Sequence, residues 1–138
     1  MKKEKIDARL VRGVELFNAQ EYFESHDVIE DLWLETKPSD AHRDFYKALI
    51  QSAASVYQWQ RGILSGARGL HSSSLQYLEK YSPWALGIDV ASLIQEMKLG
   101  ADALQSGQGV WQPKIKYHFN EFQIIKHSGH LKKHGHSR

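Results

Sequence analysis

The chain contains no cysteine. This absence excludes a disulfide framework, a thiolate nucleophile and a zinc site with cysteine ligands. The chain also lacks any apolar run near the roughly 18 residues that a membrane span requires. Its charged start, MKKEK, leads into no apolar segment of the kind that a secretory signal contains. We therefore expect a soluble, cytoplasmic protein without membrane association.

A single domain is expected from 138 residues, which can form a core without covalent staples. The formal net charge of +2 is unevenly distributed. Residues 126–138 carry four basic and no acidic side chains, together with His127, His130, His134 and His136. Such a segment has too little apolar content to fold alone, so we expect a solubilising extension. Metal binding by its histidines stays open, whereas its few positive charges argue against nucleic-acid binding.

Apolar residues recur at helical spacing in five segments, separated by glycine- and proline-containing connections. Ser39 or Asp40 is placed to cap the third helix and Asp89 the fifth. The short connections favour an antiparallel arrangement, so the predicted fold is an all-α bundle of about five helices. The predicted helices cover about residues 6–17, 22–36, 40–61, 63–81 and 90–104.

The segment after Pro113 has a mixed pattern. Ile115, Tyr117 and Phe119 alternate like a strand, while Phe119 and Phe122 fit a helical turn. A lone strand would have no partner in an all-helical domain, so we expect a docked irregular segment or a short helix. We accordingly divide the chain into a helical domain, residues 1–116, and a C-terminal extension, residues 117–138.

The second helix carries an unusual polar pair. At about 100° per residue, His26 and Glu30 fall within the apolar arc, between Trp33 and Phe23. The same wheel places Leu34 in the apolar arc and Glu24, Asp27 and Asp31 on the solvent side. Residues four apart can contact each other on a helix, and buried polar groups are costly unless they are paired. We therefore predict a buried His26–Glu30 pair.

Three roles for this pair remain open: a structural hydrogen-bonded pair, a ligand-binding or catalytic pocket, and a metal site. His71 and Arg68 on the fourth helix, and His42 at the start of the apolar stripe of the third, are candidate neighbours. The metal role has weak support, because the order His-x-x-x-Glu differs from the Glu-x-x-His of di-iron bundles and no HExxH is present. We therefore predict neither a metal site nor a cofactor. The candidate cluster is His26, Glu30, Trp33, Arg68 and His71.

Several segments resemble one known family. Residues 17–33, FNAQEYFESHDVIEDLW, resemble the signature F-N-x-x-x-[YF]-[FW]-E-x-H-[ED]-x-x-E-x-x-W of the "domain of unknown function 309" family. Residues 48–57, ALIQSAASVY, are similar to its G-L-I-Q-x-A-A-x-x-[YH] helix, 66–70 to its G-A-x-x-L element and 112–115 to its closing P-x-I. The chain has Asp27 where the family more often has Glu, and Ala48 in place of Gly.

The resemblance covers about residues 8–115. It implies a compact helical bundle with no assigned activity, and it marks His26, Glu30 and Trp33 as signature positions. The resemblance supplies no chemistry. We expect a non-enzymatic interaction or scaffold module with a buried polar cluster. The alternative is a ligand-binding or metal-dependent hydrolytic pocket in which His26 acts as a general base oriented by Glu30. Partner identity and homo-oligomerisation stay open.

Overall fold

Helices make up most of the described chain. The computed structural model describes residues 2–126, and six helices lie within that range. They are α1 (Ala8–Asn18), α2 (Tyr22–Glu35), α3 (Arg43–Gln60), α4 (Leu64–Glu79), α5 (Val90–Lys98) and α6 (Ala101–Ser106). The strands are short: β1 (Glu4–Asp7), β2 (Trp84–Ala85), β3 (Ile88–Asp89) and β4 (Phe122–Ile125). The predicted all-α class is confirmed. The solubilising extension predicted for the tail falls on residues 127–138, which lie outside the described range.

The first four helices lie where the periodicity predicted them, with small shifts at their ends. The largest shift is at the start of α3. Asp40, one of its two predicted caps, instead closes the preceding turn: its Oδ1 accepts a hydrogen bond from His42 N at 2.8 Å, and its carbonyl accepts one from Arg43 N at 3.2 Å. The predicted cap of α5 is confirmed, because the Asp89 carboxylate accepts a hydrogen bond from Ser92 N at 2.9 Å.

The predicted fifth helix is divided into α5 and α6. The division falls at Leu99 and Gly100, between the last residue of α5 and the first of α6. A side chain at Gly100 would overlap the Trp111 ring, which occupies the space directly beside this backbone. The break therefore accompanies the docking of a distant tryptophan, which the local apolar spacing does not show.

The prediction for the segment after Pro113 is partly wrong. Ile115 and Phe119 are buried, as expected for a docked segment. However, β4 pairs in parallel with β1, in the register Glu4↔Phe122 to Asp7↔Ile125. The expected absence of a strand partner fails because the residues beside α1 are extended rather than helical. The domain boundary at residue 116 stays a prediction.

Consecutive helices pack side by side. Helix α1 packs on α2, α2 on α3 and α3 on α4, and short connections at residues 19–21, 36–42 and 61–63 join them. Helix α2 is therefore covered from two sides, by α1 and by α3. The largest fully buried side chains are Leu10, Val14, Phe17, Tyr22, Ile29, Phe45, Leu49, Val56, Leu78, Ile88, Leu93 and Met97.

Candidate functional site

Aromatic contacts fix how α2 faces α3. The Phe23 ring, near the start of α2, lies 5.3 Å from the Tyr57 ring, near the end of α3. The Trp33 ring, near the end of α2, is contacted by Arg43 and Lys47 from the first turns of α3. The two helices are therefore antiparallel, and the residues of α2 between these points face the middle of α3.

The opposite side of α2 is held closely against α1. Ser25 Oγ donates a hydrogen bond to the Gly13 carbonyl at 2.8 Å. A side chain at Gly13 would collide with Ile29, so the glycine permits the close approach of the two backbones. Ser25 and Ile29 are both buried, and this contact sets the rotation of α2 about its own axis.

The predicted orientation of α2 is partly wrong. Asp31, assigned to the solvent side, is 9% exposed, whereas Leu34, assigned to the apolar arc, is 58% exposed. One apolar sector cannot describe a helix that is covered from two sides. His26 and Glu30 consequently lie at the edge of the buried surface, partly exposed, rather than inside the core.

Three polar side chains of α2 converge at this edge. One potential ligand atom each from His26, Asp27 and Glu30 lies within 4.8 Å of the other two. Residues three and four apart share one side of a helix, which explains why Glu30 meets both of the others. The sequence analysis missed Asp27 because its wheel placed this residue in solvent, although the i, i+3 spacing to Glu30 was visible. The predicted His26–Glu30 hydrogen bond stays a prediction.

A cavity of about 90 Å³ adjoins the cluster. His26 lines it together with Phe23, Ala54, Tyr57 and Gln58. The two rings and the alanine methyl make most of its wall apolar. Gln58 Oε1 is shielded from solvent and has no hydrogen-bond partner in the described part of the chain. At ~30 Å³ per water molecule, the volume suits about three waters or a ligand of similar size.

Trp33 lies one helical turn beyond Glu30 and contacts two cations. The Arg43 guanidinium carbon lies 4.3 Å from the centre of the Trp33 ring, and the Lys47 ammonium nitrogen 4.5 Å from it. Arg43 Nε also donates to the Thr36 carbonyl at 3.1 Å. The indole Nε1 of Trp33 is shielded from solvent and, within the described residues, has no acceptor.

The remaining predicted cluster residues contact another part of the molecule. His71 Nε2 lies 2.8 Å from the Met97 carbonyl oxygen, and Arg68 donates to the Leu104 carbonyl at 3.1 Å. The His71 ring also lies edge-on to Trp111, with 5.8 Å between ring centres. These contacts join α4 to α5 and α6. None of the hydrogen bonds or ring contacts of His71 and Arg68 within residues 2–126 reaches α2.

His42, the third candidate neighbour, is also separate from the cluster. It is the cap residue before α3, and its ring stacks on Tyr81 with 6.3 Å between ring centres. The structure thus brings Asp27, rather than a second histidine, to the His26–Glu30 pair.

Residues 10–70 match the model of a family described as "Domain of unknown function (DUF309)". The predicted family resemblance is confirmed. The matched residues of this chain include His26, Glu30 and Trp33. The family description assigns no activity. The closing element at residues 112–115 lies outside the match, so its resemblance stays a prediction.

One curated relative is similar in sequence to part of this chain, and its name assigns no activity either. The chain is 31% identical over 87 residues to "Uncharacterized protein YpuF" of Bacillus subtilis (strain 168), which covers 62% of this chain and 49% of the relative. The chain therefore spans about half the length of this relative. Within residues 2–126, no helix has both the length and the apolar character needed to cross a membrane.

Asn18, which lies within the matched residues 10–70, has a structural role that the sequence analysis missed. Its side-chain amide donates to the Ile115 carbonyl at 2.9 Å and accepts from Ile115 N at 2.7 Å. Lys114 Nζ donates to the Asn18 carbonyl at 2.7 Å. A single asparagine thus pairs with both backbone groups of one residue and anchors the segment after Pro113. The signal available in the sequence was the polar residue at the end of a predicted helix.

Three ionisable side chains outside the cluster, Arg9, Tyr22 and Tyr46, have raised pKa values. Arg9 bridges Asp7 and Glu35 at 2.9 Å and 3.1 Å, and its hydrogen bond with Asp7 is the main cause of a raised Arg9 pKa. Burial raises the pKa of Tyr22 to about 12 and, with smaller contributions from nearby charges, that of Tyr46 to about 12. Both phenols are therefore neutral over the physiological pH range.

Proposed function

We propose that the protein is a divalent-metal-binding helical module, in which His26, Asp27 and Glu30 hold the ion beside the small cavity. The convergence of their three donor atoms is the observation that carries this proposal. One imidazole nitrogen and two carboxylates suit Zn²⁺, Fe²⁺ or Mn²⁺. Atoms about 2.0–2.2 Å from a shared ion lie at most about 4.4 Å apart. Separations of up to 4.8 Å therefore need only small side-chain rotations.

The arrangement favours a site with open coordination positions. All three donors come from one helix, so they approach an ion from one side. The other side would face α3 and the cavity lined by Phe23, Tyr57 and Gln58. Three protein ligands and an open position are typical of zinc sites that bind a ligand or activate water, whereas structural zinc sites are closed by four protein ligands. This supports a ligand-binding or hydrolytic pocket.

Metal titration tests the proposal. Because the tail histidines could also bind metal, the titration uses the full chain with asparagine at positions 127, 130, 134 and 136. Zn²⁺ and Mn²⁺ are titrated by calorimetry, and thermal unfolding is followed in parallel. We expect saturable binding of one ion, with about 2.7 kcal/mol of stabilisation at an ion concentration 100 times the Kd.

Variants on the same helix provide the control. Glu30→Gln and Asp27→Asn should each weaken binding strongly, since a neutral amide is a poor ligand. Glu24→Gln removes an exposed acid from the same helix and should leave binding unchanged. Equal binding by the parent, Glu30→Gln and Glu24→Gln would show that the ion binds elsewhere.

An interaction or scaffold module is the second candidate. Large apolar side chains that remain exposed favour it, notably Leu99 at 76% and Val110 at 84% exposure. The two candidates predict opposite effects in chelator. A structural His26–Glu30 pair implies that Glu30→Gln destabilises the metal-free protein by about 1–3 kcal/mol. A metal site implies an unchanged or more stable metal-free variant, because one of two neighbouring carboxylates is neutralised.

A further inference from the structure

Two cations in the first turns of α3 lie against the ring of Trp33 on α2. Arg43 and Lys47 are both partly buried, 4.3 Å and 4.5 Å from the centre of the Trp33 ring. Neither forms an ion pair with any carboxylate of residues 2–126. We infer that Arg43, Lys47 and Trp33 form a binding site for the phosphate group of a small ligand.

Three acids on the flanking segments have other partners. Asp44 pairs with Lys80 at 2.8 Å. Glu35 pairs with Arg9 at 3.1 Å, and the Asp40 carboxylate accepts from His42 N. A tryptophan face attracts a cation through the quadrupole of the ring, but it carries no net charge. The ring therefore positions the two like charges without neutralising them, and an added anion would be attracted by both.

The unused hydrogen-bonding groups here are all donors. Arg43 uses Nε for the Thr36 carbonyl, and its two terminal nitrogens make no hydrogen bond within the described chain. Lys47 contributes an ammonium. The indole N–H of Trp33 is shielded from solvent and has no acceptor within residues 2–126, so it reports on the site from beside it. A phosphate has only acceptors at these positions, and arginine and lysine are its usual partners. Arg43 is also the first residue of α3, where the helix dipole favours an anion.

The inferred site lies close to the cluster of α2 without depending on it. Trp33 follows Glu30 by three residues, a rise of about 4.5 Å on the same side of the helix. A small phosphorylated molecule could therefore reach both places. The phosphate contacts do not include His26, Asp27 or Glu30, so binding is measured in chelator, where a failure of the metal proposal has no effect.

The Trp33 indole N–H gives a direct readout. The ¹⁵N-labelled full chain is titrated with inorganic phosphate and with methyl phosphate, at constant ionic strength kept with sodium chloride. The indole resonance of Trp33 is assigned as the one that is lost in Trp33→Phe. We expect a saturable shift of this resonance with either compound, and the tighter of the two shows whether the site prefers the free ion or an ester.

Charge-removing variants decide the outcome. Loss of one charged donor should weaken phosphate binding about tenfold. Lys47→Gln is the main variant, because it leaves the contact between Arg43 and Thr36 in place, and Arg43→Gln is the second. Lys98→Gln, which removes an exposed cation from α5, and Arg61→Gln, which removes a cation 5.5 Å from the Tyr57 ring, are the matched controls. A shift that does not saturate, or that is equal in Lys47→Gln and Lys98→Gln, would overturn the inference.

Discussion

Two helix interfaces of this molecule differ in how fully their polar side chains are hydrogen-bonded. Around α5 and α6, four side-chain nitrogens from α3, α4 and the segment after α6 reach backbone carbonyls in the last turns of these two short helices. The contacts are Trp59 to Ala103 at 2.8 Å, Arg68 to Leu104 at 3.1 Å, His71 to Met97 at 2.8 Å and Trp111 to Glu96 at 3.2 Å. On α2 and α3, by contrast, three shielded polar atoms have no hydrogen-bond partner within residues 2–126: Trp33 Nε1, Gln51 Oε1 and Gln58 Oε1.

The difference separates a structural interface from a candidate site, although both contain histidine, arginine and tryptophan. Each unpaired shielded polar group costs about 1–3 kcal/mol. Proteins tolerate such costs mainly where a function requires the group. Satisfied groups, such as those around His71, need no function beyond holding helices together. The state of the hydrogen bonds, rather than the residue type, distinguishes the two interfaces.

The largest effect is expected at the satisfied interface. Trp111→Ala should destabilise the protein by about 3–5 kcal/mol, because the ring is 4% exposed, packs against Gly100 and Trp59, and loses its hydrogen bond to Glu96. Denaturant unfolding measures this change. Trp84→Ala, at a site 55% exposed, is the control. Similar losses in both variants would contradict the structural role given to Trp111.

A smaller loss is expected for the histidine of the same interface. His71→Leu keeps an apolar contact with Trp111 but removes the bond to the Met97 carbonyl, at a cost of about 1–3 kcal/mol. His118→Leu makes the same replacement at an exposed side chain and should change the free energy of unfolding little. Equal values for the two variants would remove His71 from the structural group.

Tyr22→Phe examines a shielded hydroxyl elsewhere on α2. The Tyr22 hydroxyl has no hydrogen-bond partner among residues 2–126, so its loss should cost little stability near neutral pH. Burial raises the Tyr22 pKa from 10.0 to about 12. The raised pKa means that the unfolded chain ionises first, so stability falls as pH rises from 10 towards 12. Denaturant unfolding across this range should show a shallower fall in Tyr22→Phe, and an unchanged slope would contradict the assigned burial.

The smallest effect is expected at Gln51. Its Oε1 is shielded from solvent and has no hydrogen-bond partner within residues 2–126. Gln51→Leu replaces this unsatisfied polar group with an apolar one, so the free energy of unfolding should stay unchanged or rise slightly. Gln95→Leu, at an exposed position of α5, is the matched control for thermal unfolding. A clear loss of stability in Gln51→Leu alone would mean that this amide has a structural partner, and it would weaken the contrast between the interfaces.

Local patterns were sufficient to predict the helices but not the contacts between distant segments. Helical spacing located α1 to α4, and the position of Asp89 predicted the cap of α5 correctly. The pairing of β1 with β4 joins residues over 100 positions apart, and neither four-residue strand has a pattern that indicates its partner. The break before α6 depends on Trp111, which local apolar spacing cannot include.

The candidate site was predicted only in part, for a related reason. A helical wheel assumes one buried side, but α2 has neighbours on two sides, so Asp31 and Leu34 were assigned to the wrong environments. The wheel correctly placed His71 on the apolar side of α4. It could not indicate which neighbouring helix this side of α4 contacts. The spacing of His26 and Glu30 did identify one location on α2 where polar groups gather.

The pairing of Asn18 with Ile115 has a consequence for how the molecule opens. Both bonds join residues 97 positions apart, so the end of α1 and the segment after Pro113 must be in place together for either bond to form. Fraying of the later segment alone would break two hydrogen bonds and expose the buried Ile115 side chain. We therefore expect the Ile115 amide proton to exchange with solvent water as slowly as those of the central helices. A single backbone proton near the end of the described chain would then report the integrity of the fold that precedes it.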